Sequence, residues 1–243
     1  MIKGLYTSAS GMIPRVRKQE MHANNIANVN SPGFKRDGLF TQELSRAKRK
    51  AIPTKSDWEV PMVNDVFTDF SLGAFDNTGN PLHMAIEGDG FFRLQLADGS
   101  TVLTRSGSFQ VDENGYLSFP GGALVLGEGG PIQIGNGKVS VSGTGQVQSN
   151  NQTVGRIVPV TVDDYDRLNK IGHSAFVVPE GVELREVENS SIKQGFLETS
   201  NVDIVGEMID MIISFREYEA DARALQTQDQ SLNNLFGRVG DGQ

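Results

Sequence analysis

Hydrophobic residues recur at alternating steps of three and four along the last long run of the chain. The series is Ile204, Met208, Met211, Phe215, Tyr218, Ala222 and Leu225, then Leu232 and Phe236 after one polar position at Asp229. This spacing predicts a helix that meets another helix along a seam. Val205, Ile209 and Ile212 form a second apolar line that widens the stripe over the first turns. Ser200 opens a Ser-Xaa-Xaa-Asp run that ends at Asp203, so a capping box is expected at the helix start. At about 1.5 Å per residue the helix extends on the order of 50 Å, which exceeds the width of a compact core. Something outside that core is therefore expected to cover part of it.

A weaker seam runs through the first 28 residues: Leu5, Ala9, Met12, Val16, Gln19, Ala23 and Ile26. Pro14 interrupts it, and proline inside a helix costs about 3 kcal/mol and disfavours helical geometry at the residue before. The helix is expected either to kink there or to begin near Pro14, and to need a partner. Between residues 82 and 176 the period changes to two. Met84, Ile86, Phe92, Leu94 and Leu96 lead to Asp98-Gly99, a hairpin signal, and Asn114-Gly115 gives another. Further short apolar runs end in a strong strand expected at 157–162. The predicted fold is mainly β with terminal α: a β-barrel-like or sandwich-like middle domain on a stem of paired N- and C-terminal helices. The expected domains are a discontinuous helical assembly core (1–35 and 197–243), an extended connector (36–80) and a β domain (81–196).

Charge sharpens this picture. The whole chain carries −8, which argues against nucleic-acid binding. Residues 1–50 hold ten Lys or Arg against three acids, whereas residues 181–222 hold ten acids against three cations. The two ends are expected to attract, within one subunit or between neighbours, or else to be two solvated faces. There is no cysteine, so thiol chemistry and Cys-ligated metals are excluded. There is no apolar run long enough to span a membrane and no apolar core of a cleavable signal peptide. His22, His83 and His173 share no metal-ligand spacing. Asp163-Asp164-Tyr165-Asp166 lacks the rest of a Ca²⁺ loop and reads as a solvated turn. No catalytic set emerges, and neither a cofactor nor a metal is expected. Acids on the last helix also oppose a membrane-surface reading of its apolar face.

Several motifs resemble those of the bacterial flagellar axial proteins, specifically the basal-body rod family. Asn24-Asn-Ile-Ala-Asn-Val-Asn-Ser-Pro-Gly-Phe-Lys35, preceded by Ala9-Ser-Gly-Met12, is similar to that family's N-terminal signature. Gly79-Asn-Pro-Leu-His-Met-Ala-Ile-Glu-Gly-Asp-Gly-Phe-Phe92 and Thr104-Arg-Ser-Gly-Ser-Phe109 resemble its β-domain motifs. Leu197-Glu-Thr-Ser-Asn-Val202 resembles its C-terminal one. Carried over by position, the signature residues are Asn24, Asn25, Asn28, Pro32, Gly33, Phe34, Ser200 and Asn201. Pro14 departs from the helix-friendly residue usual in the family.

The resemblance implies a structural subunit and no enzyme. Such a subunit is exported without a cleaved signal peptide by the flagellar type III export apparatus, and it stacks helically with other rod subunits into the periplasm-spanning drive shaft. Its terminal helices form the inner tube. The subunit-packing seam would then be Leu5, Met12, Val16, Ile26, Ile204, Met208, Met211, Phe215, Tyr218, Leu225, Leu232 and Phe236. The short connector before Gly79 and Gly155-Arg-Ile-Val-Pro-Val are similar to the proximal-rod (FlgF-like) pattern. Arg216-Glu-Tyr-Glu and Gln226-Thr-Gln-Asp-Gln are similar to the distal-rod (FlgG-like) one, and the balance favours proximal. A soluble binding module on a coiled-coil stem is the alternative from another class, and it predicts a small closed oligomer.

Overall fold

The computed structural model describes residues 2–42, 62–135, 137–172, 174–179, 181–187 and 190–240. By density of contacts the chain divides into two units.

The first unit gathers both helices and one strand pair. Helix α1 is Ile2–Ala27 and helix α2 is Ile204–Gly240. Pro14 lies inside α1 and does not start it, so the helix runs on through the proline. The tertiary partner supplies what local propensity lacks. Arg15 Nη1 and Nε meet Glu217 at 2.9 Å and Asp221 at 2.7 Å. His22 Nδ1 meets Glu207 at 2.5 Å. Contacts that ascend α1 while descending α2 make the pair antiparallel.

Helix α2 starts later than its sequence suggests. The Asp203 carboxylate accepts from the Val205 N–H at 3.1 Å and its carbonyl accepts from the Glu207 N–H at 2.9 Å, so Asp203 is the N-cap. Ser200 instead accepts from the Val202 N–H at 3.3 Å, a local turn outside the helix, and the capping box expected there does not form. Strands Asp37–Gln42 and Met62–Thr68 pair antiparallel, with an irregularity between Phe40 and Thr41. Residues 36–80, expected to be a connector, thus contain a paired ribbon that groups with the helices. What the sequence suggests for residues 43–61 lies outside the described residues.

The second unit comprises Asn28–Arg36 and Asp69–Val202. Its main antiparallel sheet runs Asn169–Lys170, Ala175–Val177, Thr101–Thr104, Phe92–Gln95, Leu124–Gly127, Leu117–Ser118 and Gln110–Val111, with Gly130–Pro131 beside Leu124–Gly127. Asp98-Gly99 turns the Phe92–Gln95/Thr101–Thr104 hairpin, and Gly99 adopts a φ of +86° that only glycine takes readily. Asn114-Gly115 turns the next one. The alternating residues Met84, Ile86, Phe92, Leu94 and Val102 are all buried in one apolar cluster. A second cluster joins Phe91, Phe176, Phe70 and Tyr165, whose rings stack or meet edge to face.

Among the described residues the sheets stay open and form no closed barrel. The strand expected at 157–162 is only Val160–Thr161, because Pro159 has no N–H to give a ladder. Two late strands close the unit: Ser191–Gln194 on Met84–Glu87, and Phe196–Glu198 on Phe75–Asn77. Residues 28–36 and 197–202 therefore group with the β unit, although the sequence reading placed them with the helices.

Gly107, in the Thr104–Phe109 motif, shows how tightly these segments meet. A Cβ there would lie 1.6 Å from the Met84 carbonyl oxygen, inside any allowed contact. Because backbone and not a flexible side chain is in the way, Gly107→Ala is expected to destabilise the β unit by about 1–3 kcal/mol or more, read as a lower urea midpoint with unchanged slope.

Candidate functional site

Two features distinguish this molecule. One is a buried polar knot in the β unit. Lys35, Arg105 and Glu198 are 1%, 3% and 1% exposed. Glu198 Oε1 accepts from Lys35 Nζ at 2.7 Å and from the Gly73 N–H at 3.1 Å, while Oε2 accepts from Arg105 Nε at 2.9 Å. Arg105 also donates to the Gly90, Gly88 and Ile86 carbonyls. Lys35 also donates to the Ser71 carbonyl at 2.6 Å. One carboxylate thus binds cations 163 and 93 residues away along the chain.

The signature residues frame this knot. Gly33 donates its N–H to the Glu198 carbonyl at 2.8 Å, and its φ of +65° with a would-be Cβ 2.3 Å from the Ser106 nitrogen admits glycine alone. Phe34 is buried beneath the Lys170 ammonium, 3.8 Å from the ring centroid. Asn201 accepts from the Arg36 N–H at 2.7 Å and donates to the Asp69 carbonyl at 2.8 Å. Asn28 accepts from the Ser31 hydroxyl at 3.2 Å in the turn that follows α1, and Pro32 is half-buried there. In the helical unit, Asn25 is fully buried and brackets Asp37, giving to its carbonyl at 2.9 Å and taking from its N–H at 3.0 Å. Asn24 is exposed.

Burial lowers the Lys35 ammonium below its ordinary value of 10.5; Glu198 pulls it back up and Arg105 pushes it further down. In the window between the lowered value and 10.5 the unfolded chain holds more protons than the folded one, so stability rises with pH there. Below that window the penalty is present in full. Chemical denaturation is expected to show this alkaline gain in the wild type and to lose it in Lys35→Met.

The second feature is a helix pair with its polarity inverted. The buried or half-buried α2 positions include Glu207, Met211, Ser214, Tyr218, Asp221, Leu225 and Gln228, a three-four series with a polar group at every seventh residue, with Gly206, Glu219 and Ala222 half-buried beside it. On α1, Arg15 and His22 meet Glu217, Asp221 and Glu207 of this side, and Gly11 lies close to Asp221; Met12, Pro14, Lys18, Gln19, Met21, Asn25 and Ile26 are also buried or half-buried. Many of the apolar residues of the first turns point outward. Ile209, Ile212 and Phe215 are 52%, 55% and 51% exposed, and Ile204, Val205, Met208 and Ile213 are exposed beside them. Of the seam read from sequence, Met211, Tyr218 and Leu225 are half-buried, as are Met12 and Ile26, while Ile204, Met208, Phe215 and Val16 are exposed. Leu5 lies on α1 and Leu232 and Phe236 on α2, but their side chains fall outside the described residues.

Sequence reasoning missed Lys35, Arg105 and Glu198 as a set, although each sits as a lone charge inside a motif. It also missed Glu207, Ser214, Asp221 and Gln228, whose seven-residue repeat was the available signal. The histidines serve structure: His22 holds Glu207, and His83 meets Thr78 at 2.8 Å and Asn80 at 3.2 Å. His173 lies outside the described residues. Asp164 caps the short helix Tyr165–Arg167, the solvated turn read from sequence. Among the described residues no group of three His, Cys, Asp or Glu could hold a metal ion, and no helix is long and apolar enough to cross a membrane.

A β unit knotted through its entry and exit segments, with a helix pair that holds ion pairs along its inner seam and exposes an apolar row over residues 204–215, defines a structural assembly subunit. Three family models match in order along the chain: flagella basal body rod protein over residues 5–35, flagellar hook protein FlgE/F/G D1 domain over 85–149, and flagellar basal body rod FlgEFG protein C-terminal over 193–236. The chain is 31% identical to the flagellar basal-body rod protein FlgG of Bacillus subtilis over 263 residues, covering 97% of this chain and 98% of that one. It is 32% identical to the rod protein FlgF of Mesorhizobium japonicum over 247 residues and to FlgF of Caulobacter vibrioides over 243, covering 99% of both chains in each case. The chain belongs to the flagellar basal-body rod protein family, and it is a structural subunit of the rod.

Proposed function

We propose that this chain builds the proximal, FlgF-like part of the rod, polymerising helically through its terminal helices. The outward apolar face of α2 carries this reading. A contiguous row from residue 204 to 215 left in water is disfavoured by about 25 cal/mol for each Å² of apolar surface, and neighbouring subunits would remove it from solvent. In this reading the antiparallel pair is a short coiled coil with a polar seam, and other rod subunits are its partners. The chain leaves the cytoplasm through the type III export apparatus without a cleaved signal, works in the periplasm-spanning shaft and catalyses nothing.

The proximal assignment is supported by alignment length. The match to Caulobacter FlgF spans 243 positions, close to this chain's own length, whereas the match to Bacillus FlgG spans 263 and so requires more gaps. Arg216-Glu-Tyr-Glu favours the distal reading instead. Electron microscopy of basal bodies from a strain lacking the gene separates the two. Rods truncated near their base support the proximal role, rods truncated further out support the distal one, and complete rods with normal swimming overturn both.

A further inference from the structure

The helix pair exposes a second stripe, on the side of α1 opposite His22. At 3.6 residues per turn Ile13, Val16, Glu20, Ala23 and Ala27 share that side, and all five are exposed, Ile13 at 65%. The stripe is apolar except for one acid at its centre. On α2 the exposed row Ile209, Ile213, Arg216, Ala220 and Ala224 also steps by three and four, and is apolar except for one base at its centre. Arg216 is 74% exposed in its side chain and touches Glu219 at 3.3 Å, a loose surface pair that leaves guanidinium donors available.

We infer that the α1 stripe of one copy packs antiparallel on the α2 row of a second copy, with Glu20 meeting Arg216. The inference rests on the rod reading, since copies that share one direction along a shaft place α1 of one against α2 of the next in opposite senses. With Glu20 on Arg216, that direction sets Ala27 against Ile209, Ala23 against Ile213, Val16 against Ala220 and Ile13 against Ala224. Each of these four apolar pairs joins an alanine to a larger, branched side chain, and none buries an unpaired charge. The larger residue comes from α2 at one end of the contact and from α1 at the other, so the two surfaces interlock in this direction. In the parallel direction Ala23 and Ala27 would face Ala220 and Ala224, and the branched residues would crowd together at the opposite end. The two stripes are different surfaces and every copy carries both, so the contact is heterologous and repeats without closing. The polar seam inside each subunit assists, because it draws its own α1 and α2 together through faces that leave both stripes outward.

The chain has no cysteine, which makes cross-linking clean. Two full-length variants, Val16→Cys and Ala220→Cys, are expressed together, and intact basal bodies are oxidised mildly. A cross-linked dimer of this chain is expected, and none when either variant is present alone. Complete rods that contain both variants yet give no dimer overturn the pairing. So does a dimer formed by Val16→Cys with Ile213→Cys instead, which is the parallel register, or a cross-link to a different protein. Glu20→Arg and Arg216→Glu are each expected to lose incorporation into rods and together to regain it; a double variant no better than the singles also overturns the contact. The rod reading itself fails on a separate result, complete rods in the strain lacking the gene.

Discussion

Replacing Glu198 with alanine is expected to lower the stability of the β unit by about 3–5 kcal/mol, because it strands two buried cations in place of a neutralised set. Lys35 and Arg105 are 1% and 3% exposed, and the Gly73 N–H loses its acceptor as well. The effect differs in kind from a cavity mutation. Lys35→Met should cost less than Glu198→Ala, since Glu198 keeps Arg105 and Gly73 as donors. In the Lys35→Met/Glu198→Ala double variant only Arg105 remains unneutralised, so the two losses should add to more than the pair shows. Urea unfolding of the four proteins measures this directly. Losses that simply add would mean that the carboxylate and the ammonium do not act as a unit. The knot ties residues 33–36 to 198–201, so its loss should also expose those segments to protease before the rest of the β unit opens.

Phe215→Asp carries the second large effect, on assembly instead of folding. Phe215 is 51% exposed on the outward side of α2, so a charge there leaves the isolated subunit within about 0.5 kcal/mol of wild-type stability. Buried against a neighbour, the same carboxylate would lack a partner and block incorporation. The expected outcome is normal subunit abundance and β-unit spectra with rods missing or truncated. Met211→Asp provides the contrast. Met211 lies in the α1-facing series beside Glu207, Ser214 and Asp221, so its change should weaken the subunit itself. Normal rods containing Phe215→Asp would remove the α2 face from the interface.

These two sites show which parts of the molecule are legible in the chain. The alternation around Met84–Leu94 and the turns Asp98-Gly99 and Asn114-Gly115 predict the β unit, because period and turn chemistry are local properties. The motif order along the chain carries the family. The long helix is legible from its three-four repeat, yet the repeat does not say which side faces the partner. Sequence reading centred the seam on Ile204, Met208, Met211 and Phe215 because apolar positions are normally the buried ones. In the folded subunit the partner is α1, whose Arg15 and His22 take Glu217, Asp221 and Glu207 of α2. Complementary charge selects the inner face, and the apolar arc is left outside.

By itself the sequence determined the two long helices, the main hairpins and their turns, the absence of thiol chemistry and the family. Each follows from the period, composition or short motif of a contiguous stretch. Only the tertiary structure decided the helix start at Asp203, the pairing of Asp37–Gln42 with Met62–Thr68, the outward face of α2, and the union of Lys35, Arg105 and Glu198. The physical reason is the same in each case. A buried charge or an unpaired strand is satisfied by a partner distant along the chain, and no local pattern records which one that will be.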